Sequence, residues 1–389
     1  MSRLSITAAA REAGDAIAII TATRALTFAE CARLAEAPPR AIVAQPAVAT
    51  ILAVYGALEA KRPLGLVHAK LPAEHRAAQL ARLERAELPD GTAVVLFTSG
   101  STGAAKGVIL SRDAILAAAA ASAAQLGWRD DDRWLSCLPM AHSGGLSINV
   151  RCLVARRPVV LHEGDFDAGA VRALAETARA TLASLVPAQL VALAGTGSGA
   201  GARAGGPGFS PPNGGPPPSL RAIILGGAAA PPALVADAVA RGWPVLPSYG
   251  LTETFGQIAT ARAPGGPLVA LPGVTIAARE TLRVRGPMLA TAYLDGVFPI
   301  RYETTNAVAQ AVAIAQVYGL GDDYYTRYRE HIRAVTADDV LRAAQTFLHP
   351  ERLLTVAVGD AAAIRAPMEK LGVGVVRVHE APAENGMPG

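Results

Sequence analysis

The chain has 389 residues, 51% of them hydrophobic, 17% charged and 5% aromatic, and a net charge of +4. That balance buries a large core in two or more compact units and excludes a disordered or fibrous chain. The arginines are scattered and not interleaved with aromatic side chains, so the basic balance leaves no nucleic-acid footprint, and no run of about twenty apolar residues predicts a membrane span. Cys31, Cys137 and Cys152 make neither a closed disulfide set nor a C-x-x-C pair, and the N-terminus lacks a signal-peptide pattern. A soluble protein of the reducing cytoplasm is expected.

In chain order, Ala16–Ile20 and Ala41–Ala44 predict short strands, Thr27 an N-cap for a helix from Phe28, and Ala47–Ala60 a second helix. Such alternation implies an α/β fold with a parallel sheet covered on both faces. The β-prone run Ala93–Phe97 is followed by T-S-G-S-T-G-A-A-K-G-V, Thr98 to Val108, and then by Ile109-Leu110. A loop of small residues between two buried strands is the layout of a phosphate loop. Gly100, Gly103 and Gly107 permit close backbone approach to an anion, Thr98, Ser99, Ser101 and Thr102 add hydroxyl groups, and Lys106 adds charge. Lys106 is one of only four lysines against 32 arginines, so composition did not supply it. Gly107 stands where a Walker A loop needs Ser or Thr, which disfavours a P-loop NTPase.

Further along, Ala114–Leu126 predicts a helix, and Trp134–Leu138, Val159–Leu161 and Leu182–Leu185 continue the strand alternation. Between Gly195 and Pro218, 15 of 24 residues are Gly or Pro, which predicts an inserted surface loop. Four more segments stand out. They are L-P-M-A-H-S-G-G-L (Leu138 to Leu146), I-I-L-G-G-A (Ile223 to Ala228), S-Y-G-L-T-E-T (Ser248 to Thr254), and L-R-V-R-G-P-M (Leu282 to Met288) closing with A-Y-L-D-G (Ala292 to Gly296).

Together with the Thr98–Val108 run, and in the same order, these segments resemble the adenylate-forming superfamily of acyl-CoA synthetases and AMP-dependent ligases, most nearly the o-succinylbenzoate-CoA ligases of menaquinone synthesis. The resemblance covers residues 1–296. It implies a large adenylate-forming α/β domain over residues 1–263 and a β-rich end over 264–296. It implies ATP, Mg²⁺ and coenzyme A as cofactor and co-substrates, with a small carboxylic acid as substrate. By the same resemblance Thr98, Ser99, Gly100, Ser101, Thr102 and Gly103 with Lys106 bind the β- and γ-phosphates. Gly226, Gly227, Ala228, Tyr249 and Gly250 hold the nucleotide, Thr252 meets the α-phosphate, and Glu253 binds the metal. His142, Ser143, Gly144 and Gly145 line the acid pocket. The residue types suit these tasks: an aromatic face for the base, a hydroxyl for phosphate, and a carboxylate for a hard cation.

From Val297 onward the resemblance stops. The family's T-G-D segment, hinge and G-K lysine are not found; Gly321-Asp322-Asp323 lacks the Thr, and Lys370 sits in M-E-K-L-G on an expected helix. Residues 297–379 instead resemble the end of an insulinase-type (pitrilysin-like) peptidase subunit. The resemblance rests on F-P-I-R-Y-E-T-T from Phe298, V-Y-G-L-G-D-D-Y-Y from Val317, A-V-T-A-D-D-V from Ala334, L-H-P-E-R-L from Leu348 and V-A-V-G-D from Val356. The inverted zinc motif H-x-x-E-H is absent, since His68 lies too far ahead of Glu74-His75, so a small non-catalytic α+β tail over 297–389 is expected, with a helix capped by Thr336. Three readings stay open: a ligase with impaired turnover, completed in trans; a pseudoenzyme that binds adenine nucleotide; and a fusion or junction near Gly296, whose tail belongs to a peptidase-like partner subunit. A homo-oligomer or a peptidase-like partner through the tail is the expected assembly.

Overall fold

A computed structural model of the protein describes residues 3–98, 105–195, 215–278 and 282–294, with scattered positions from 327 to 378. Packing separates two units, Met1–Val308 and Ala309–Gly389, and the fold described belongs to the first. Most of the Gly/Pro-rich stretch and nearly all of the peptidase-like tail lie outside the described residues. In the tail, Asp339 N–H donates to Thr336 Oγ1 at 3.2 Å, the N-cap contact its sequence predicts.

The first unit opens with α1 (Ile6–Ala13), β1 (Ile17–Ile20), β2 (Ala25–Thr27) and α2 (Phe28–Leu34). Thr27 and Glu30 close a reciprocal capping box, which is why α2 starts at Phe28. Next come β3 (Ala41–Ala44), α3 (Val48–Glu59), β4 (Leu64–His68), α4 (Ala73–Arg85), β5 (Thr92–Phe97) and β6 (Gly107–Ser111). The alternation continues through α5 (Arg112–Leu126), β7 (Trp134–Ser136), α6 (Ser143–Ala155), β8 (Val159–Leu161), α7 (Ala168–Thr177), β9 (Leu182–Leu185), α8 (Pro187–Ala194), β10 (Ala222–Leu225), α9 (Pro232–Ala240) and β11 (Val245–Leu251). Strands β12 (Gly256–Ala261), β13 (Leu268–Ala270), β14 (Thr275–Ala278), β15 (Leu282–Arg285) and β16 (Ala292–Tyr293) complete its described part.

Among the described residues these strands form a nine-stranded sheet, β13-β12-β11-β10-β9-β7-β8-β1-β2, a five-stranded sheet, β16-β6-β5-β4-β3, and the pair β14-β15. The centre of the large sheet, from β11 to β1, is parallel, with antiparallel strands at both edges. In the smaller sheet β3, β4 and β5 are parallel, but β6 runs back antiparallel to β5. The parallel expectation stops there because the connection from Thr98 to Lys106 is shorter than the dozen or so residues a crossover needs. The fold is mixed α/β, as expected.

Helices α5 and α6 pack on each other, and α5 touches β5 and β6 of one sheet and β12 of the other, so one core spans both sheets. α3 joins that core with Val48, Ile51, Val54, Tyr55 and Leu58 all essentially inaccessible; a helix apolar on most of its faces is a buried one. The C-terminal ends of the parallel strands and the hairpin returns of β6 and β12 carry the segments singled out by sequence, the usual place for ligands in open α/β sheets.

Candidate active site

β10 and β11 run in parallel register, Leu225 beside Pro247, where β10 ends while β11 runs on to Leu251. Gly226, Gly227 and Ala228 leave the first strand there, and Tyr249 rises from the second with 40% of its surface exposed, a free aromatic face beside bare backbone. Gly250 has no alternative: a Cβ would lie 2.1 Å from the Gly256 carbonyl oxygen. Thr252–Thr254 then form a single 3₁₀ turn, and Phe255, fully buried in the left-handed region at φ 53°, swings the chain into β12. Thr254 Oγ1 closes the turn, accepting from Leu251 N–H at 3.2 Å and donating to the Gly256 carbonyl at 2.8 Å. The turn presents Thr252 and Glu253 half-buried at its rim.

On the other sheet, Thr98 and Lys106 face each other at the base of the small-residue loop, Thr98 N–H donating to the Lys106 carbonyl at 2.9 Å. Ser99, Gly100, Ser101, Thr102 and Gly103 lie outside the described residues. Tyr293, on the short edge strand β16, joins the two sheets. Its hydroxyl donates to Glu253 Oε1 at 2.9 Å, and its ring lies 5.8 Å below the Lys106 ammonium. Burial, then the hydrogen bond to Glu253, pushes the phenol up to about 12, so it stays a donor.

His142 occupies the N-cap position of α6 without a side-chain capping bond, followed by Ser143, Gly144 and Gly145 in the first turn. The ends of β4 and β5, helix α4 and the turn before α6 enclose a cleft of about 780 Å³, with apolar walls from Leu66 and Phe97 and polar points at His68, His75, Gln79 and His142. The His68 and His142 rings are 5.0 Å apart. His68 Nδ1 accepts from Lys70 N–H at 3.0 Å, which places the neutral ring's proton on Nε2. Burial, followed by the neighbouring charge, lowers both imidazoles from their ordinary value of 6.5, so both are neutral at physiological pH. Gln79 is 9% exposed, and its Oε1 has no hydrogen-bond partner among the described residues.

About two and a half turns beyond His142 on α6, Arg151 is 4% exposed, stacks 5.4 Å from the Trp134 ring, and leaves Nε without a hydrogen-bond partner among the described residues. Its Nη2 and Ser147 Oγ face β12, 3.6 and 3.7 Å from where a Cβ on Gly256 would stand, next to the Thr252–Thr254 turn. Burial lowers the guanidinium pKa to about 10, which leaves it charged at neutral pH. No carboxylate among the described residues pairs with it.

The donors at the turn are hard oxygens from one carboxylate and one threonine, and no group of three or more His, Cys, Asp or Glu side chains among the described residues makes a metal cage. That set fits Mg²⁺ arriving with phosphate oxygens and water, and not a dedicated protein-bound metal.

Residues 32–286, well over half of the chain, match the family of AMP-binding enzymes. The chain belongs to that family. The 2-succinylbenzoate–CoA ligase of Bacillus mycoides is 38% identical over 169 residues, 43% of this chain and 32% of the relative. The chain therefore spans about a third of the length of the curated relatives it matches. Two solved structures share the fold. One is the o-succinylbenzoate coenzyme A synthetase of Bacillus subtilis in complex with ATP and magnesium, with a TM-score of 0.63 and 25% identity over 75% of this chain and 72% of that one. The other is the N-terminal domain of FACL13 from Mycobacterium tuberculosis, with a TM-score of 0.63 and 19% identity over 79% and 95%.

Residues that the sequence motifs did not single out also stand at the candidate site. His68 and Gln79 meet His142 only through the packing of α4 against the strand ends. Arg151 left a trace, a lone charge in the buried run Leu146–Leu153. Tyr293 was visible only as part of the family-like A-Y-L-D-G segment. Among the described residues no helix is long and apolar enough to cross a membrane.

Proposed function

We propose that the protein is an ATP-dependent acid–thiol ligase that activates o-succinylbenzoate as an acyl-adenylate and passes the acyl group to coenzyme A. The observation that carries this reading is the convergence of Lys106 and Glu253, from two different sheets, on the two sides of Tyr293. An ammonium and a carboxylate held against one tyrosine suit a metal-bearing polyphosphate. In this reading Thr98–Gly103 and Lys106 cradle the β- and γ-phosphates, Thr252 meets the α-phosphate, and Glu253 holds Mg²⁺, which neutralises the triphosphate when bound. Gly226, Gly227, Ala228, Tyr249 and Gly250 hold the adenosine end, and His142 to Gly145 aim the acid in line.

The choice of acid is supported by Arg151. o-Succinylbenzoate carries two carboxylates, one of which stays unreacted, and a buried cation with no partner is stabilised by an anion delivered with the substrate. Coenzyme A is supported by the cleft beside His142, whose orphan Gln79 acceptor suits an amide N–H of a pantetheine arm. The domain boundaries at residues 263 and 296, the peptidase-like tail with its partner or homo-oligomer, and a cytoplasmic location belong to the same proposal and rest on sequence alone.

The test is ATP–pyrophosphate exchange driven by o-succinylbenzoate. Acid-dependent exchange is expected in the wild type, with a loss of about a hundredfold or more in Lys106→Ala and Glu253→Ala. Wild-type protein without acid-dependent exchange ends the reading.

A further inference from the structure

Among the described residues the contact between Tyr293 and Glu253 is the one side-chain bridge between the residues assigned to metal and to phosphate, and several independent constraints hold it. Strand β16 pairs with β6 so that Tyr293 stands opposite Val108, within two residues of Lys106. Leu294 N–H donates to the Gly107 carbonyl at 2.6 Å and Thr291 N–H to the Ile109 carbonyl at 2.9 Å, while Ala290 N–H donates to the Glu253 carbonyl at 2.6 Å. The approach is close enough that a Cβ on Gly107 would lie 2.7 Å from Leu294 Cβ. Residues 290–294 thus strap the 3₁₀ turn of one sheet to the loop base of the other, and the tyrosine side chain is the polar point of the strap.

We propose that Tyr293 is a positioning residue that fixes the Glu253 carboxylate in one rotamer, engaging Oε1 and leaving Oε2 to the cation, while its ring face sets the height of Lys106. The inference rests on the ligase reading and adds a division of labour within it. The hydroxyl acts on the metal side through Glu253, and the ring acts on the phosphate side through Lys106. A carboxylate already held in its binding rotamer loses less side-chain freedom when a cation arrives, so the hydroxyl's effect falls on metal dependence. A ring under an ammonium acts with or without the cation.

The experiment is calorimetric titration of the full chain with ATP, repeated without divalent ion and across a series of MgCl₂ concentrations, together with thermal melting. Tyr293→Phe keeps the ring and loses the hydroxyl. It is expected to raise the half-saturating Mg²⁺ for ATP binding about tenfold, to leave the Mg²⁺-free affinity for ATP unchanged, and to melt as the wild type does. Tyr293→Leu is expected to show the same Mg²⁺ shift and, in addition, about a threefold loss of Mg²⁺-free affinity. A Tyr293→Phe protein with wild-type Mg²⁺ dependence overturns the inference, as does one that weakens ATP equally with and without Mg²⁺. Tighter Mg²⁺ dependence in Tyr293→Phe also overturns it, because the hydroxyl would then compete with the cation. Wild-type protein that shows no Mg²⁺-dependent ATP binding overturns the ligase reading itself, an outcome distinct from all of these.

Discussion

Arg221 and Arg151 both place a guanidinium within the same α/β unit, and they are treated in opposite ways. Arg221 forks onto Asp132, Nε to Oδ1 at 2.8 Å and Nη2 to Oδ2 at 2.6 Å. Thr181 Oγ1 and Arg129 N–H, each at 2.7 Å, supply the carboxylate's other bonds, and Asp132 is wholly inaccessible. This cluster ties the loop before β7 to the starts of β9 and β10. Arg151 is more deeply buried, lies 5.4 Å from the Trp134 ring, and has no carboxylate partner among the described residues. A charge compensated inside the protein belongs to the fold; one left uncompensated beside a candidate site is, in the proposed ligase, where the anion comes with the substrate.

The largest effect expected from this contrast is at Asp132. Asp132→Ala takes the buried carboxylate away from a part-buried guanidinium that keeps its bonds to the Leu126 and Gly127 carbonyls, and should cost about 3 kcal/mol, read as a lower urea midpoint. Arg151→Met should do the reverse to the fold, leaving the midpoint unchanged or raising it, since a buried unpaired charge gives way to an apolar chain. The same variant should lose about a hundredfold in kcat/KM for o-succinylbenzoate through the lost charge-assisted contact. Should Arg151→Met unfold as readily as Asp132→Ala, the contrast between the two arginines is wrong.

Acid sharpens the comparison. Burial alone would raise the Asp132 pKa, but the hydrogen bonds from Arg221, Arg129 N–H and Thr181 outweigh it and hold the group below 3.8. Its contribution is therefore complete above pH 3.8 and is lost as pH falls through the lower folded value. The urea midpoint of wild type should drop more than that of Asp132→Ala over this range. The smallest effect is at the His68–His142 pair. With folded pKa values below 6.5, the neutral rings contribute fully above that pH and progressively less as pH falls toward the folded values. His142→Gln should flatten the dependence of melting temperature on pH in that window.

Much of the scaffold was legible in advance. The expected strands Ala41–Ala44, Val159–Leu161 and Leu182–Leu185 coincide with β3, β8 and β9, and Thr27 caps α2 with the box its spacing implies. These are short-range features, in which apolar runs, caps and Gly-rich returns act within a few residues. The return of β6 was not foreseen as antiparallel, because strand direction depends on what the intervening loop can span. The ligand-facing residues were legible only as strings of types, a hydroxyl-rich loop with a lysine and a Tyr-Gly-Leu-Thr-Glu turn, with nothing in them to say which would meet.

What the sequence determined by itself is the α/β alternation, membership in a family recognised by ordered motifs, and the boundaries of elements set by local caps and periodicity. Only the tertiary structure decided that Tyr293 touches Glu253 across 40 positions, that His68 lies against His142, and that Arg221 is paired while Arg151 is not. The physical reason is range. Backbone preference and hydrophobic period are written into consecutive residues, whereas charge compensation and side-chain pairing are properties of groups brought together by packing, which no single stretch of chain encodes.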